Sequence, residues 1–305
     1  MRKQIAANKR KSVVIVAFAV LFAAGIGYLI GYLLGGGNTS VAIMVLTIAL
    51  IISIISSWVS YLYGDRIVLS TSHAQPVTPQ EEPRLHNVVE GLALAAGLPK
   101  PAVYVVPEQS PNAFATGRDP EHSSIAVTRG LLDMMDRVEL EGVIGHEMSH
   151  VRDRDILLGT IVATLVGMVV LLAEFFLRWM FWGGMGRRGN SNEGGQGFAI
   201  LAIVGLVLAI LTPLIAQIIK LAMSRGREYL ADAEGAMLTR YPPGLASALQ
   251  KVAGDTTPMR TANNATAHLW LNQPSRTPGE EPHWWEAMFS THPPIQERIR
   301  RLEEM

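Results

Sequence analysis

The sequence contains no cysteine, which excludes disulfide bonds, a thiol nucleophile and a thiolate metal site. It also carries no net charge, since 26 basic residues balance 26 acidic ones, so no bulk attraction to nucleic acid is expected. Charged residues make up only 17% of the 305 residues and hydrophobic residues 49%, which is too apolar for an ordinary soluble enzyme. Any transition metal must be held by His, Asp or Glu, and these ligands suit zinc.

The hydrophobic residues are concentrated in four long runs, at about residues 12–34, 41–63, 156–182 and 198–223. Each run is long enough to cross a hydrocarbon core of about 30 Å as a helix. The sequence therefore predicts four transmembrane helices arranged as two hairpins. A removable signal peptide is the alternative for the first run. That run is too long for one, no small-residue cleavage site follows it, and a second span comes at once.

Basic residues beside the runs predict how the chain is oriented. Five of residues 1–11 are Lys or Arg, whereas the loop between the first two runs has none. By the positive-inside rule the amino terminus lies in the cytoplasm, and four spans return the chain to that side. Arg187 and Arg188 in the second outer loop oppose this orientation. Glu174 and Arg178, four residues apart in the third run, can pair with each other, and their role stays open.

The runs divide the chain into five predicted parts: a basic cytoplasmic amino terminus (1–11), a transmembrane hairpin (12–63), a cytoplasmic catalytic segment (64–155), a second transmembrane hairpin (156–223) and a second cytoplasmic catalytic segment (224–305). Within the cytoplasmic parts, apolar spacing predicts helices over residues 82–97 and 138–153 and short strands at 102–106, 112–116 and 124–128. Residues 294–304 are expected to form a charged, solvated helix. The predicted fold is mainly α with a small β-sheet.

The helix predicted over residues 138–153 contains His146-Glu147-Met148-Ser149-His150. Histidines four residues apart lie about 40° apart on one helix face, so both imidazoles can bind the same metal. Glu147 stands beside the first of them and can reach a water molecule there. The pattern matches the H-E-x-x-H signature of zinc peptidases, in which the glutamate is the general base. It predicts one zinc ion per chain.

A zinc peptidase takes a third protein ligand and leaves the fourth position for water. No His or Gly pattern with metzincin spacing follows His150. Asp153 and Asp155 are interpreted as solvated acids beside the membrane. The candidates are Glu228 and Asp232, which share a helix face, so that one can ligate while the other supports a ligand. A solvated amphipathic helix is the alternative interpretation of that segment.

Four segments in this order resemble HtpX-type membrane zinc metalloproteases, relatives of the CAAX prenyl proteases: Asn112-Ala-Phe-Ala-Thr-Gly117, His146-Glu-Met-Ser-His150, Glu228-Tyr-Leu-Ala-Asp232 and Ser290-Thr-His-Pro-Pro294. The resemblance implies a cytoplasmic gluzincin-like metallopeptidase domain in which His146, His150 and Glu228 hold zinc. It further implies that Glu147 is the base and that Asp232 orients a ligand.

The same resemblance implies how substrate is bound. Asn112, Ala113, Phe114, Ala115 and Thr116 would offer a strand edge to the substrate backbone, which is a general mode of peptide recognition. Asn112 and His292 would lie where an oxyanion develops. His292 precedes two prolines and can equally be a loop histidine.

The expected function is zinc-dependent cleavage of misfolded or damaged membrane proteins at the cytoplasmic face of the cytoplasmic membrane, as part of quality control under stress. Both ligand-bearing segments adjoin predicted spans, which favours substrates in or near the bilayer. A non-proteolytic zinc-binding scaffold or chaperone is one alternative, but zinc binding alone does not need Glu147. A prenyl-protein peptidase is another, although four spans are few for an enclosed membrane chamber. A transporter fits least, because only one run carries internal charges.

Overall fold

The structure is a computed structural model and describes residues 2–167, 224–259, 266–272 and 293–305. It is mainly helical with a small mixed sheet, as predicted. Two of its helices are long and apolar enough to cross a membrane. The third predicted span is described only as far as Gly167, and the fourth lies outside the described residues. Four spans and the five-part division therefore stay predictions.

The two long helices, α1 (Arg2–Leu34) and α2 (Thr39–Thr71), form a hairpin. Glycines four residues apart let their backbones approach closely, as in other membrane helix pairs. A Cβ at Gly27 would lie 2.6 Å from the Ala49 Cβ, and one at Gly31 would lie 2.8 Å from the Val45 Cβ. The predicted boundary at residue 64 falls inside α2, which continues to Thr71 and packs its last turns against the sheet.

The sheet has four strands, β1 (Gln75–Pro76), β2 (Ala102–Val106), β3 (Ala113–Asp119) and β4 (His122–Thr128), in the order β1-β2-β4-β3. Strands β2 and β4 are parallel and the other pairs antiparallel. The three predicted strands are confirmed, although β3 runs three residues past its predicted end at residue 116 and β4 begins two residues before its predicted start at residue 124. In the part of the chain that the structure describes, β3 is an edge strand, as a substrate-pairing strand must be.

The remaining helices are α3 (Pro83–Ala96), α4 (Arg129–Met134), α5 (Arg137–Asp153), the described part of α6 (Asp155–Gly167), α7 (Arg225–Thr239), α8 (Pro242–Gly254), a 3-10 turn at Ala267–Leu269, and α9 (Ile295–Glu303). Helices α4 and α8 were not predicted. The main core lies between α5, the sheet and the helices around them. α9 is not the solvated helix expected from its charges, because Arg298, Ile299 and Leu302 are buried.

Helix α5, which carries the histidine motif, has defined ends. Asp136 and Glu139 form a capping box at its start. Its last residue is Asp153, and Arg154 follows in the left-handed conformation with φ of 58°. The chain therefore turns before α6 begins, and α5 does not continue into the third hydrophobic run. This turn directs Asp155 back towards the motif.

Candidate metal centre and active site

Three side chains able to ligate a metal converge between α5 and α7. The Nε2 atoms of His146 and His150 are 3.2 Å apart, and each lies 3.8 Å from a carboxylate oxygen of Glu228. One donor atom from each of the three residues lies within 4.8 Å of the others. The structure thus brings together the two motif histidines and the glutamate that the sequence offered as a third ligand.

A close helix crossing brings Glu228 to the histidines. A Cβ at Gly235 of α7 would lie 2.7 Å from the His146 N and 2.9 Å from the Gly145 C, too close for any side chain. Glu228 lies seven residues before Gly235 and so shares its helix face. The glycine therefore lets α7 approach α5 closely enough for the carboxylate to face both imidazoles.

Each imidazole is held from behind by a carboxylate. Asp232 Oδ1 lies 2.9 Å from His146 Nδ1, and Asp155 Oδ2 lies 3.3 Å from His150 Nδ1. A ring that donates its Nδ1–H to a carboxylate presents the lone pair of Nε2 to a metal.

Asp155 and Asp153 are largely shielded from solvent, so their interpretation as solvated acids was wrong. The physical reason is the left-handed turn at Arg154, which directs Asp155 towards His150 instead of towards solvent.

Arg298 of α9 completes the support of His146. Its guanidinium donates to both oxygens of Asp232, at 2.9 and 2.7 Å, and to the Leu271 carbonyl at 2.9 Å. The arginine is only 1% exposed. Burial alone would raise the pKa of Asp232, but the charge of Arg298 and the hydrogen bonds with His146 and Arg298 together outweigh burial and lower this pKa to about 2. Asp232 is therefore a carboxylate that can orient His146.

The two rings differ in their protonation. Burial lowers the pKa of His146, and the hydrogen bond with Asp232 only partly opposes this, so the ring is neutral, as a ligand must be. Burial also acts to lower the pKa of His150. There the hydrogen bond with Asp155 and the charge of Glu228 outweigh burial and raise the pKa to about 9. A metal at His150 must therefore displace a proton.

Glu147 lies on the same face of α5 and is only 2% exposed. The backbone N–H of Ala115 in β3 lies close enough to act against burial on the pKa of Glu147. Burial raises the pKa of Glu147 to about 7. A carboxyl group with this pKa can both accept and release a proton near neutral pH, which is what general acid–base catalysis requires.

A pocket opens over these groups. Its polar part includes His146, Glu147, His150, Asp155, Arg227 and Glu228, and its less polar wall is formed by Ala115, Ile156, Gly159, Leu269, Trp270 and Leu271. The second set comes from β3, α6 and the segment around the 3-10 turn, so the site is assembled from parts that are distant in the sequence.

The predicted substrate-binding strand borders this pocket. Alternate residues of an antiparallel edge strand turn their backbone groups away from the partner strand. Ala115 does so, and it lines the pocket together with Glu147. The Ala113 carbonyl accepts the Leu271 N–H at 2.8 Å, so this end of the edge is already paired within the chain. Substrate pairing along β3 stays a prediction.

The other residues predicted to bind substrate are placed as follows. Phe114 is buried and packs edge-on against Trp270, with ring centres 4.7 Å apart, and Thr116 is buried as well. The Asn112 amide donates to the Asn272 carbonyl at 2.8 Å and accepts the Asn272 N–H at 3.1 Å. Asn112 therefore holds the segment beside β3, and its role at an oxyanion stays a prediction. His292 lies outside the described residues.

A family model for peptidase family M48 matches residues 79–305, which include the motif, Glu228, Asp232 and Arg298. The chain belongs to peptidase family M48. A "Protease HtpX homolog" of Thermoanaerobacter pseudethanolicus is 47% identical over 301 residues, covering 98% of this chain and 96% of the relative. One of Lactobacillus acidophilus is 41% identical over 305 residues, covering 99% of each chain. The resemblance to HtpX-type proteases is thereby confirmed, and this M48 peptidase is a membrane metalloprotease.

Among solved structures, that of S. mikatae Ste24p superposes on this M48 peptidase with a TM-score of 0.45 and 18% identity, covering 99% of this chain and 67% of the other. The likeness is too distant to add to the argument.

Sequence reasoning missed two residues of the M48 site, Arg298 and Asp155. Arg298 stands six residues after His292 in a stretch of alternating charges, and nothing local sets it apart from Arg300 or Arg301. Asp155 was interpreted only as a solvated acid, and the left-handed turn at Arg154 that brings it to His150 was not predicted.

Proposed function

We propose that this M48 metalloprotease is a zinc endopeptidase in which His146, His150 and Glu228 are the metal ligands. The observation that carries the proposal is the convergence of the three donor groups while both Nδ1 atoms face carboxylates. Two histidines and a glutamate form a ligand set typical of catalytic zinc.

The spacing of the donors fits such an ion. Two nitrogen ligands at about 2.0–2.1 Å from a tetrahedral metal lie roughly 3.3 Å apart, and the two Nε2 atoms are 3.2 Å apart. Glu228 stands slightly further away, at 3.8 Å from each nitrogen. When bound, zinc supplies a Lewis acid that polarises a peptide carbonyl and makes a water molecule more acidic.

In the proposed reaction, Glu147 takes a proton from the attacking water on its carboxylate and passes it to the nitrogen of the leaving amine. The Ala115 N–H lowers the pKa of Glu147 and so favours its carboxylate form at the pocket wall. Asp232, fixed by Arg298, and Asp155 keep His146 and His150 in the ligating orientation. Asn112 and His292 are proposed as groups near the developing oxyanion.

We further propose that the substrates are membrane proteins, especially misfolded or damaged ones, cut at the cytoplasmic face. α6 begins at Asp155, beside His150, and runs into the third hydrophobic run. α1 and α2, which are long enough to span a bilayer, pack on the parts that hold the site. These contacts support an active site close to the membrane surface. The proposal of four spans with both termini in the cytoplasm is supported by the hydrophobic runs and by the basic residues before the first of them.

Replacing the proposed base separates catalysis from metal binding. Glu147→Gln in detergent-purified protein should keep wild-type zinc content and lose casein hydrolysis. Glu141→Gln is the matched control, because Glu141 lies on the same helix and pairs with Arg137 at the surface. Retained hydrolysis by Glu147→Gln would refute its role as the base. Loss of zinc from that variant would instead mean that Glu147 belongs to the ligand set.

A further inference from the structure

The amino-terminal turns of α1 contact the candidate metal centre. Asn8 is 4% exposed, although it lies before the first hydrophobic run and among basic residues. Its side-chain amide donates to the Asp153 carbonyl at 3.2 Å and to Asp155 Oδ1. Ser12 and Ile15, on the same face of α1, are also buried. α1 therefore contacts the catalytic part through Asn8, besides packing along α2.

Asn8 bridges the two sides of the turn that directs Asp155 towards the metal centre. Asp153 is the last residue of α5 and Asp155 the first of α6, with the left-handed Arg154 between them. An amide that binds the carbonyl of one and the carboxylate of the other fixes the geometry of this turn. The residue that joins the end of α5 to the start of α6 thus comes from α1.

The two oxygens of Asp155 have different partners. Oδ1 accepts from Asn8 and from Arg227 Nη1, the latter at 3.0 Å. Oδ2 faces His150 Nδ1 at 3.3 Å. The two donors on Oδ1 orient the carboxylate so that its other oxygen points at the imidazole. Partners behind a metal-ligating histidine usually matter for metal affinity almost as much as the ligands do.

We propose that Asn8 is a positioning residue of the active site, acting through Asp155 on the orientation of His150. The amino-terminal end of the first membrane helix is then part of the catalytic unit, although the M48 family model begins only at residue 79. This inference rests on the proposed function, in which His150 is a metal ligand.

Zinc affinity, measured by competition with a chromophoric chelator in detergent, tests the proposal. Asn8→Ala should bind zinc about tenfold more weakly, at the lower end of the range for such supporting residues. Asn8→Asp keeps the size of the side chain but replaces a donor by a second carboxylate, and should weaken binding at least as much. Ser12→Ala is the control, since Ser12 is buried one turn further along the same face and its hydroxyl bonds to the Asn8 carbonyl, not to Asp155.

A double variant identifies the route of the effect. If Asn8 acts through Asp155, then Asn8→Ala combined with Asp155→Ala should bind zinc no more weakly than Asp155→Ala alone. Additive losses, or wild-type affinity of both Asn8 variants, would overturn the inference. His150→Ala distinguishes a failure of the proposed function from a failure of the role proposed for Asn8. Unchanged zinc affinity in that variant contradicts the proposed function, whereas lost affinity beside unaffected Asn8 variants contradicts only the role of Asn8.

Discussion

Replacing Arg298 by methionine removes the cation that holds Asp232 while keeping most of the side-chain volume. Arg298 makes two hydrogen bonds to Asp232 and one to the Leu271 carbonyl, and both charged side chains are at most 5% exposed. In Arg298→Met the Asp232 carboxylate stays buried and keeps its hydrogen bond with His146. The variant therefore tests both the stability of the catalytic part and the orientation of a proposed ligand.

The size of the effect follows from this burial. Removing one partner of a buried ion pair costs about 3–5 kcal/mol. The hydrogen bond with His146 remains, so a loss of about 3 kcal/mol in the free energy of unfolding is expected. At about 2–4 °C per kcal/mol, the melting temperature should fall by roughly 6–12 °C. Zinc affinity should fall by about 10–100-fold, because His146 loses its fixed carboxylate.

The assay is thermal melting of the zinc-free protein in detergent, followed by a zinc titration. Arg300→Met is the matched control, since Arg300 lies on the same helix and its side chain is 61% exposed. Little change is expected there. Adding Asp232→Leu to Arg298→Met should recover part of the lost melting temperature, because the unpaired charge is gone, but none of the zinc affinity. If Arg298→Met melts and binds zinc like Arg300→Met, then Arg298 neither stabilises the catalytic part nor orients His146 through Asp232.

Two further outcomes are expected. Gly235→Ala places a Cβ 2.7 Å from the His146 N and should lower both the melting temperature and the zinc affinity. Gly226→Ala is the control and should lower neither, because nothing lies within 4 Å of its Cβ position. Equal effects of the two substitutions would contradict the close crossing of α5 and α7. Casein hydrolysis should fall below neutral pH, because burial raises the pKa of Glu147 to about 7 and only its carboxylate accepts a proton. From pH 7 to pH 6 the ionised fraction drops from about half to about a tenth, so a flat profile of kcat/KM across this range would argue against Glu147 as the base.

Much of the site was predictable because its elements carry local signals. The helix expected over residues 138–153 is α5, which begins one residue earlier, at Arg137. Its signals are local, because Asp136 and Glu139 cap its start and its apolar residues recur at helical spacing. The strand at residues 102–106 is unchanged. α8 was missed, although its paired prolines at the start and the buried Leu245, Leu249 and Val252 at helical spacing are visible in the sequence.

Other features have no local signal. Arg298 lies far along the chain from Asp232, and three arginines within four residues of α9 look alike until the helix is packed. Asp155 was interpreted as solvated because it stands just before the third hydrophobic run, where acids beside a membrane are expected to face water. The turn at Arg154 uses a left-handed residue that is neither glycine nor asparagine, and such residues are uncommon. Asn8 belongs to a basic segment for which composition predicts only a position in the cytoplasm.

If Glu228 is the third zinc ligand, removing its charge should abolish zinc binding. Glu228→Gln and Glu234→Gln change one carboxylate each on the same helix, and Glu234 pairs with Arg152 instead of facing the histidines. We expect Glu228→Gln to lose zinc binding in the chelator competition and Glu234→Gln to bind zinc like the wild type. Wild-type affinity in Glu228→Gln would contradict its role as a ligand.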